Sequence, residues 1–334
     1  MESNATVSGN GISVVMPLYN KAGSVSRAIN SALSQGVDVE VIVVDDGSTD
    51  GSDAVARDFN GRIIYVRQRN TGPALARNRG VQMSSRPRIA FLDADDEFLP
   101  GCLAAHLACH NARPDVCVTL SPFRLFVDGK LDRDDPIVQR TNDFVSDQNY
   151  HYTNRFHRAL ITGMASGSIC VRRDVFDAVG GFDPTLRCYE ITDFLYRLLV
   201  RFPSVGVLDR PYVAIHADRE NSQFARAATD LKYRLTLTQH ILEEIDNLDE
   251  DQQVAMLTPV EECLNSLLTL GAVEEFQRLS QRLNRVSYRS RQLKALCTLA
   301  ARPRSVILTA SMVRRAGSFL ARPLRKLATQ NHRT

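Results

Sequence analysis

Four carboxylates fall within five positions in Phe91-Leu92-Asp93-Ala94-Asp95-Asp96-Glu97, directly after an apolar run. Two residues apart on an extended chain, Asp93 and Asp95 point to one side. Their mutual repulsion is unfavourable without a cation. A hard divalent ion, held by one or two carboxylates with phosphate oxygens completing its shell, would relieve it. The competing reading is a solvated acidic turn, with Asp96 and Glu97 at a helix N-terminus favoured by the dipole. A second pair, Asp45-Asp46, also follows an apolar run and opens the cluster Gly47-Ser48-Thr49-Asp50-Gly51. An Asp-Gly turn at a strand end is the plain alternative there.

The elements that must position these groups alternate over the first hundred residues. Ile12–Met16 is a short buried-strand pattern ended by Pro17. Asn20 can cap a helix whose apolar positions Val25, Ala28, Ile29, Ala32 and Leu33 recur at helical spacing, with Gly36 beyond it. Strands follow at 39–44, about 62–67 and 88–92, with helices near 50–59 and 72–84 between them. Short apolar strands separated by helices predict an α/β fold with a mainly parallel sheet and helices on both faces. Ligands in such sheets sit outside the carboxyl ends of the strands, which is where both acidic clusters fall. Further on, the pattern predicts a helix from Leu99 to about Asn111, strands near 115–127 and 166–171, a helix near 191–202 and a strand at 204–208. Beyond about 223 it becomes wholly helical, broken near Leu248–Asp249, Gly271, Pro303 and Pro323. The expected domains are therefore 1–222 and 223–334.

Several ordered motifs resemble the family 2 glycosyltransferases of the GT-A fold. They are Val14-Val15-Met16-Pro17-Leu18-Tyr19-Asn20, Val43-Val44-Asp45-Asp46-Gly47-Ser48-Thr49-Asp50, Asn70 through Gly80, Phe91 through Asp96, Val171-Arg172-Arg173, and Val179-Gly180-Gly181-Phe182-Asp183. The resemblance spans roughly residues 11–220. It implies an inverting transfer of a sugar from a nucleotide-sugar, typically a UDP-sugar, to a hydroxyl. It also implies that Pro17 and Tyr19 border the base and that Asp45, with Asp46 beside it, binds the base. Asp93 and Ala94 would lie by the donor, and Asp95 would hold Mg²⁺ or Mn²⁺ on the diphosphate. Arg77, in the Ala-Arg-Asn segment, would either lie near the diphosphate or hold the acidic loop. His216 would bind the metal or diphosphate from a loop closing over the donor, and Met164–Ser168 would line the acceptor side or simply permit close packing. Departure of a nucleoside diphosphate develops negative charge that a metal or Arg stabilises. An attacking alcohol needs a carboxylate within reach of its proton.

That base is where the sequence departs from the family pattern. In Tyr189-Glu190-Ile191-Thr192-Asp193 the usual Asp is replaced by Ile191, which accepts no proton. Glu190 takes the role, or a one-residue shift brings in Asp193, or both are helix N-terminal residues and the chain is a nucleotide-sugar-binding protein with impaired turnover. A dinucleotide dehydrogenase is disfavoured, because no G-x-G-x-x-G follows the first strand. With no Trp in the chain, the Q-x-x-R-W motif of processive synthases is absent, which points to addition of one or a few sugars to a glycan or lipid-linked acceptor.

Charge adds a partner. The 334 residues carry 41 Lys and Arg against 38 Asp and Glu, a net charge of +3. Residues 276–334 hold 14 of those cations and no acid, so everything before them is net acidic. Seven cysteines without a C-x-x-C pair, behind a polar start at Met1–Asn10, suggest free thiols in a reducing cytoplasm. No run is long enough to cross a bilayer. Residues 302–326 alternate Arg302, Arg304, Arg314, Arg315, Arg322, Arg325 and Lys326 with apolar side chains. Such a pattern suits either an anionic membrane surface, here the inner face of the cytoplasmic membrane, or a helical cap on the protein. Nucleic acid is not an expected partner, since no recognition motif accompanies the charge. Removing residues 302–334 is expected to reduce sedimentation with anionic vesicles; unaltered binding favours the cap.

Overall fold

The computed structural model describes residues 11–135, 138–139, 150–153, 164–217, 231–283, 286 and 291–312. It contains two compact units, Met1–Thr229 and Asp230–Thr334.

In the first unit, β1 (Ile12–Leu18), β2 (Val39–Asp45), β3 (Ile64–Arg67) and β4 (Arg88–Phe91) alternate with α1 (Val25–Leu33), α2 (Ser52–Arg57) and α3 (Pro73–Met83). The short β5 (Glu97–Phe98) and α4 (Cys102–Ala112) follow. Next come β6 (Val118–Leu120), β7 (Phe123–Val127), β8 (Lys130–Asp132), β9 (Tyr150–Thr153) and β10 (Ile169–Arg172). The unit continues through α5 (Arg173–Val179), α6 (Glu190–Arg201), β11 (Val205–Leu208) and β12 (Val213–Ala217). An eight-stranded sheet runs in the order β3-β2-β1-β4-β10-β6-β11-β9, and β5-β12-β7-β8 form a second, four-stranded sheet. In the large sheet only β9 and β10 run against the other strands. This is the expected mainly parallel α/β architecture.

Side-chain alternation along β1 assigns the layers. Ile12, Val14 and Met16 pack with Val25, Ala28, Ile29 and Ala32 of α1 in one buried cluster. On the opposite face Val15 lies so close to α3 that a Cβ on Gly80 would stand 2.3 Å from its Cγ1. On that face Phe91, Phe176, Phe182 and Phe194 stack with centroids 4.6 to 5.9 Å apart, joining β4 to α5 and α6. Burial of this much aromatic surface fixes the helix that carries Glu190.

Several local expectations are corrected. Strand β1 does not end at Pro17 but runs on to Leu18. The Val15 carbonyl accepts from Leu92 on the β4 side, and the Leu18 carbonyl accepts from Asp46 on the β2 side. Alternation then turns Pro17 toward β4, whose pairing has already stopped at Val15, so no ladder hydrogen bond is lost. Asn20 does not cap α1, which begins five residues later; its backbone is left-handed, with φ of 52°. The expected strand at 115–127 is two strands in different sheets, turned at Ser121-Pro122, and residues 166–168 form a 3₁₀ turn ahead of β10. Helix α5 and strand β12 went unforeseen because each is short, seven and five residues.

The second unit is helical: α7 (Leu231–Glu244), α8 (Glu250–Leu270), α9 (Val273–Arg282) and α10 (Arg291–Ala300), with the chain helical again over 304–312. The breaks at Asp249 and Gly271 are a capping box and a left-handed C-cap. Residues 313–326, most of the basic tail, lie outside the described residues. No helix among the described residues is long and apolar enough to cross a membrane.

Because Gly80 has no room for a methyl group, Gly80→Ala should destabilise by about 1–3 kcal/mol in urea unfolding, despite alanine's better helix propensity. Adding Val15→Ala should recover part of that loss, since the two side chains share one space.

Candidate active site

The carboxyl ends of β1, β2, β3 and β4 lie side by side, so the loops that leave them converge. After β2, Asp45 is fully buried. Its Oδ1 accepts from the Ser48 amide at 2.8 Å and its Oδ2 from the Tyr65 hydroxyl at 2.7 Å, with Arg67 Nε 3.6 Å away. Burial, and then the hydrogen bond to this carboxylate, push the Tyr65 hydroxyl up to about 12. Asp46 is also buried, but it is spent on its own chain. It accepts from the amides of Thr71 and Gly72 at 2.9 and 2.8 Å and from Gln68 Nε2 at 2.9 Å. A carboxylate here also meets the positive N-terminus of α3. Asp46 therefore anchors the loop that launches α3, as the plain turn reading expects.

The loop after β1 is fastened to the loop after β2. The Asn20 amide donates to Ser48 Oγ, the Lys21 amide to Ser52 Oγ and the Ala22 amide to Asp50, over 3.1, 2.8 and 3.0 Å. The Asn20 side chain in turn accepts from the Thr49 amide at 2.8 Å. Its left-handed backbone serves this clasp. Pro17, in β1, and Tyr19, just beyond it, are half-buried.

After β4 the chain turns at once, with the Asp96 amide donating to the Asp93 carbonyl at 3.0 Å. The extended arrangement expected for Asp93 and Asp95 is therefore absent, and the two carboxylates take different partners. Asp93 Oδ1 accepts from Arg77 Nη2 at 2.6 Å, and Asp95 Oδ2 from Lys21 Nζ at 2.5 Å. Ala94 belongs to the hydrophobic cluster, so only its backbone is available to a donor. Asp96 is buried and accepts from the His216 amide at 3.0 Å. Burial first, then the charges of Asp95 and Asp93, hold its carboxyl well above the usual carboxylate range.

Arg77 decides between its two expected roles. It is 3% exposed, and its other terminal nitrogen, Nη1, donates to Glu190 Oε1 at 2.8 Å. One guanidinium thus bridges the turn after β4 to the first residue of α6, while lying 5.6 Å from the centre of the Phe182 ring. It holds the acidic loop. Its neighbour Asn78 clasps the Phe182 backbone from both sides, donating to its carbonyl at 2.8 Å and accepting from its amide at 2.9 Å. Gly181, with φ of 69° and no room for a Cβ beside Asn78, is required for that clasp.

Of the two candidate bases, the structure separates their surroundings. Glu190 joins Asp93 through Arg77, directly after Tyr189, a non-glycine residue with φ of 66°. Asp193 is fully buried and takes Arg197 Nε and Nη2 on one oxygen at 2.8 and 2.7 Å. Arg197 also holds the carbonyls of Val179 and Gly181, so Asp193 secures the start of α6. His216 sits in strand β12 and not in a closing loop. It stacks on Phe126 and its Nε2 lies 3.2 Å from Glu97. In the 3₁₀ turn, Gly167 would bring a Cβ within 3.0 Å of Val213, which accounts for its small size by packing.

Sequence reasoning missed Lys21, Tyr65, Arg67 and Gln68. Tyr65 and Arg67 were findable in principle, because in parallel register Arg67 pairs with Asp45 itself. Removing the shared cation by Arg77→Met should cost about 3–5 kcal/mol in chemical denaturation, as expected when a buried charge loses its partner. Adding Glu190→Gln should restore part of it, which a double-mutant cycle reads directly.

The sequence model described as Glycosyl transferase family 2 matches residues 13–180. Succinoglycan biosynthesis protein ExoU of Rhizobium meliloti (strain 1021) is 45% identical over 101 residues, 29% of this chain and 30% of that protein. Validoxylamine A glucosyltransferase of Streptomyces hygroscopicus subsp. jinggangensis (strain 5008) is 41% identical over 106 residues, 28% of this chain and 25% of that one. The matched segments thus span less than a third of either relative. Among solved structures, S. aureus TarS 1–349 in complex with UDP-GlcNAc superposes with a TM-score of 0.66 at 17% identity, covering 92% of both chains, a likeness of fold. The match over half the chain agrees with the parallel sheet and the convergent carboxylate loops: this chain belongs to glycosyl transferase family 2.

Proposed function

We propose that the chain moves a sugar from a nucleoside diphosphate sugar, uridine-linked, to a hydroxyl of a glycan or lipid-linked acceptor, in one inverting displacement. The observation that carries this reading is the Asp93–Arg77–Glu190 bridge, which ties the donor-side turn to a carboxylate at the head of α6. Support for the donor comes from a solved protein of the same fold, described in complex with UDP-GlcNAc. A relative described as a succinoglycan biosynthesis protein supports a polysaccharide or glycoconjugate acceptor.

Asp45, with Tyr65 and Arg67 around it, and the half-buried Pro17 and Tyr19 take the base. Asp93, held by Arg77, lies by the ribose. Glu190 accepts the proton of the acceptor hydroxyl while its oxygen attacks the anomeric carbon and the bond to the diphosphate breaks. No covalent enzyme intermediate is needed. Asp95 fits a hard cation: its carboxylate is a hard oxygen donor and about a third exposed. Among the described residues no three metal-binding side chains gather around it, so a diphosphate must complete the shell. Bound there, Mg²⁺ or Mn²⁺ would neutralise charge developing on the departing diphosphate. His216 would join only by leaving Glu97. Attachment through residues 302–326 to the inner face of the cytoplasmic membrane completes the reading.

Ile191 beside Glu190 motivates the second reading, donor binding without turnover. Transfer and hydrolysis measured over a panel of nucleotide-sugars separates the two. With the preferred donor, Glu190→Gln should keep donor affinity but lower turnover by about 10²–10⁴-fold. Full activity in that variant moves the base elsewhere. Asp95→Ala should remove the Mn²⁺-dependent part of nucleotide affinity in calorimetry.

A further inference from the structure

We propose that Lys21 is the resident counter-ion of Asp95, competing with the divalent cation for that carboxylate and thereby making metal and nucleotide diphosphate bind cooperatively. This rests on the transferase reading above, in which Asp95 is the metal ligand. Lys21 Nζ lies 2.5 Å from Asp95 Oδ2, with the two side chains 36% and 32% exposed. The lysine does not approach from a loose surface loop. Its own amide is bonded to Ser52, those on either side to Ser48 and Asp50, and the preceding residue is left-handed.

A second cation from the same stretch of chain does a different job. Arg27 Nη2 donates to the Asp95 main-chain carbonyl at 2.5 Å and its Nε lies 3.9 Å from Glu97. Arg27 thus fixes the turn and leaves the Asp95 carboxylate to Lys21. With Asp93 on Arg77 and Asp95 on Lys21, each exposed carboxylate of Asp93 and Asp95 has a cationic partner supplied by the chain.

The consequence follows from charge. A divalent cation arriving alone must displace an ammonium tethered to the site, which weakens its binding. Because the pair is partly exposed, the handicap is modest, about two- to tenfold in affinity. A cation arriving with a diphosphate meets a different balance. The displaced ammonium stays on the same pinned loop, beside an anion that it can neutralise. Each ligand therefore strengthens the other by one common factor, as linkage requires.

The test is Mn²⁺ binding to the full chain, followed by the electron paramagnetic resonance signal of free Mn²⁺, with and without UDP. Lys21→Met should bind Mn²⁺ alone about two- to tenfold more tightly than the unaltered chain and lose that same two- to tenfold part of the tightening produced by UDP. Lys21→Arg should behave as the unaltered chain, and Asp95→Asn should lose the site. Should Lys21→Met fold poorly, Lys21→Gln carries the same comparison. Unchanged or weaker Mn²⁺ binding in Lys21→Met overturns the counter-ion role, even if Asp95→Asn confirms the ligand. Absence of Mn²⁺ binding in every protein, with donor turnover intact, overturns the metal role of Asp95 and this proposal together while leaving the transferase reading standing.

Discussion

A single buried guanidinium holds the candidate site together. Arg77 sits at 3% exposure between Asp93, which follows the fourth strand, and Glu190, which begins helix α6, 113 residues after Arg77 itself. A buried cation is tolerated only when it is paired and hydrogen-bonded, and two carboxylates meet that condition. The same condition works in reverse. Asp93 and Glu190 can lie near each other because the charge between them is positive. Remove it and the donor-side turn and the head of α6 repel each other. The aromatic stack of Phe91, Phe176, Phe182 and Phe194 makes up the apolar wall on which this bridge rests.

The motifs that mark the family divide, in this light, between chemistry and carpentry. Asp46, Asn78, Gly80 and Gly181 hold the backbone around the site. Asp46 gathers the amides that start α3, Asn78 clasps the backbone of Phe182, and the two glycines let a helix and a turn approach as closely as those bonds demand. Asp45, Asp93, Asp95 and Glu190 lie where those supports put them. A carboxylate that binds a ligand must be held within a fraction of an ångström, and the supporting bonds do that holding.

Much of this was legible in one dimension. Short apolar runs separated by helical patterns announced parallel strands, and the acidic turns after the second and fourth of them placed both carboxylate clusters at one end of the sheet. What misled was treating local stretches as isolated. Asp93 and Asp95 would share a side if the chain stayed extended, but the Asp96 amide closes a turn onto the Asp93 carbonyl. Asn20 has the chemistry of a helix cap, yet it serves the neighbouring loop, because the competing partners at Ser48 and Thr49 are distant in sequence and close in space. His216 reads as a loop residue because its strand is five residues long and finds its partners, β5 and β7, far away in the chain.

The sequence by itself determined the fold class, the convergence of the acidic loops at the carboxyl ends of the strands, and the family, because periodicity and ordered motifs are local properties that survive without coordinates. Only the tertiary structure decided which charge neutralises which. Lys21 with Asp95, Arg77 with Asp93 and Glu190, Tyr65 with Asp45 and Arg197 with Asp193 are choices among many cations and donors. Electrostatic partnership depends on distance and burial, and, apart from the single helical turn between Asp193 and Arg197, the spacing of these residues along the chain records neither.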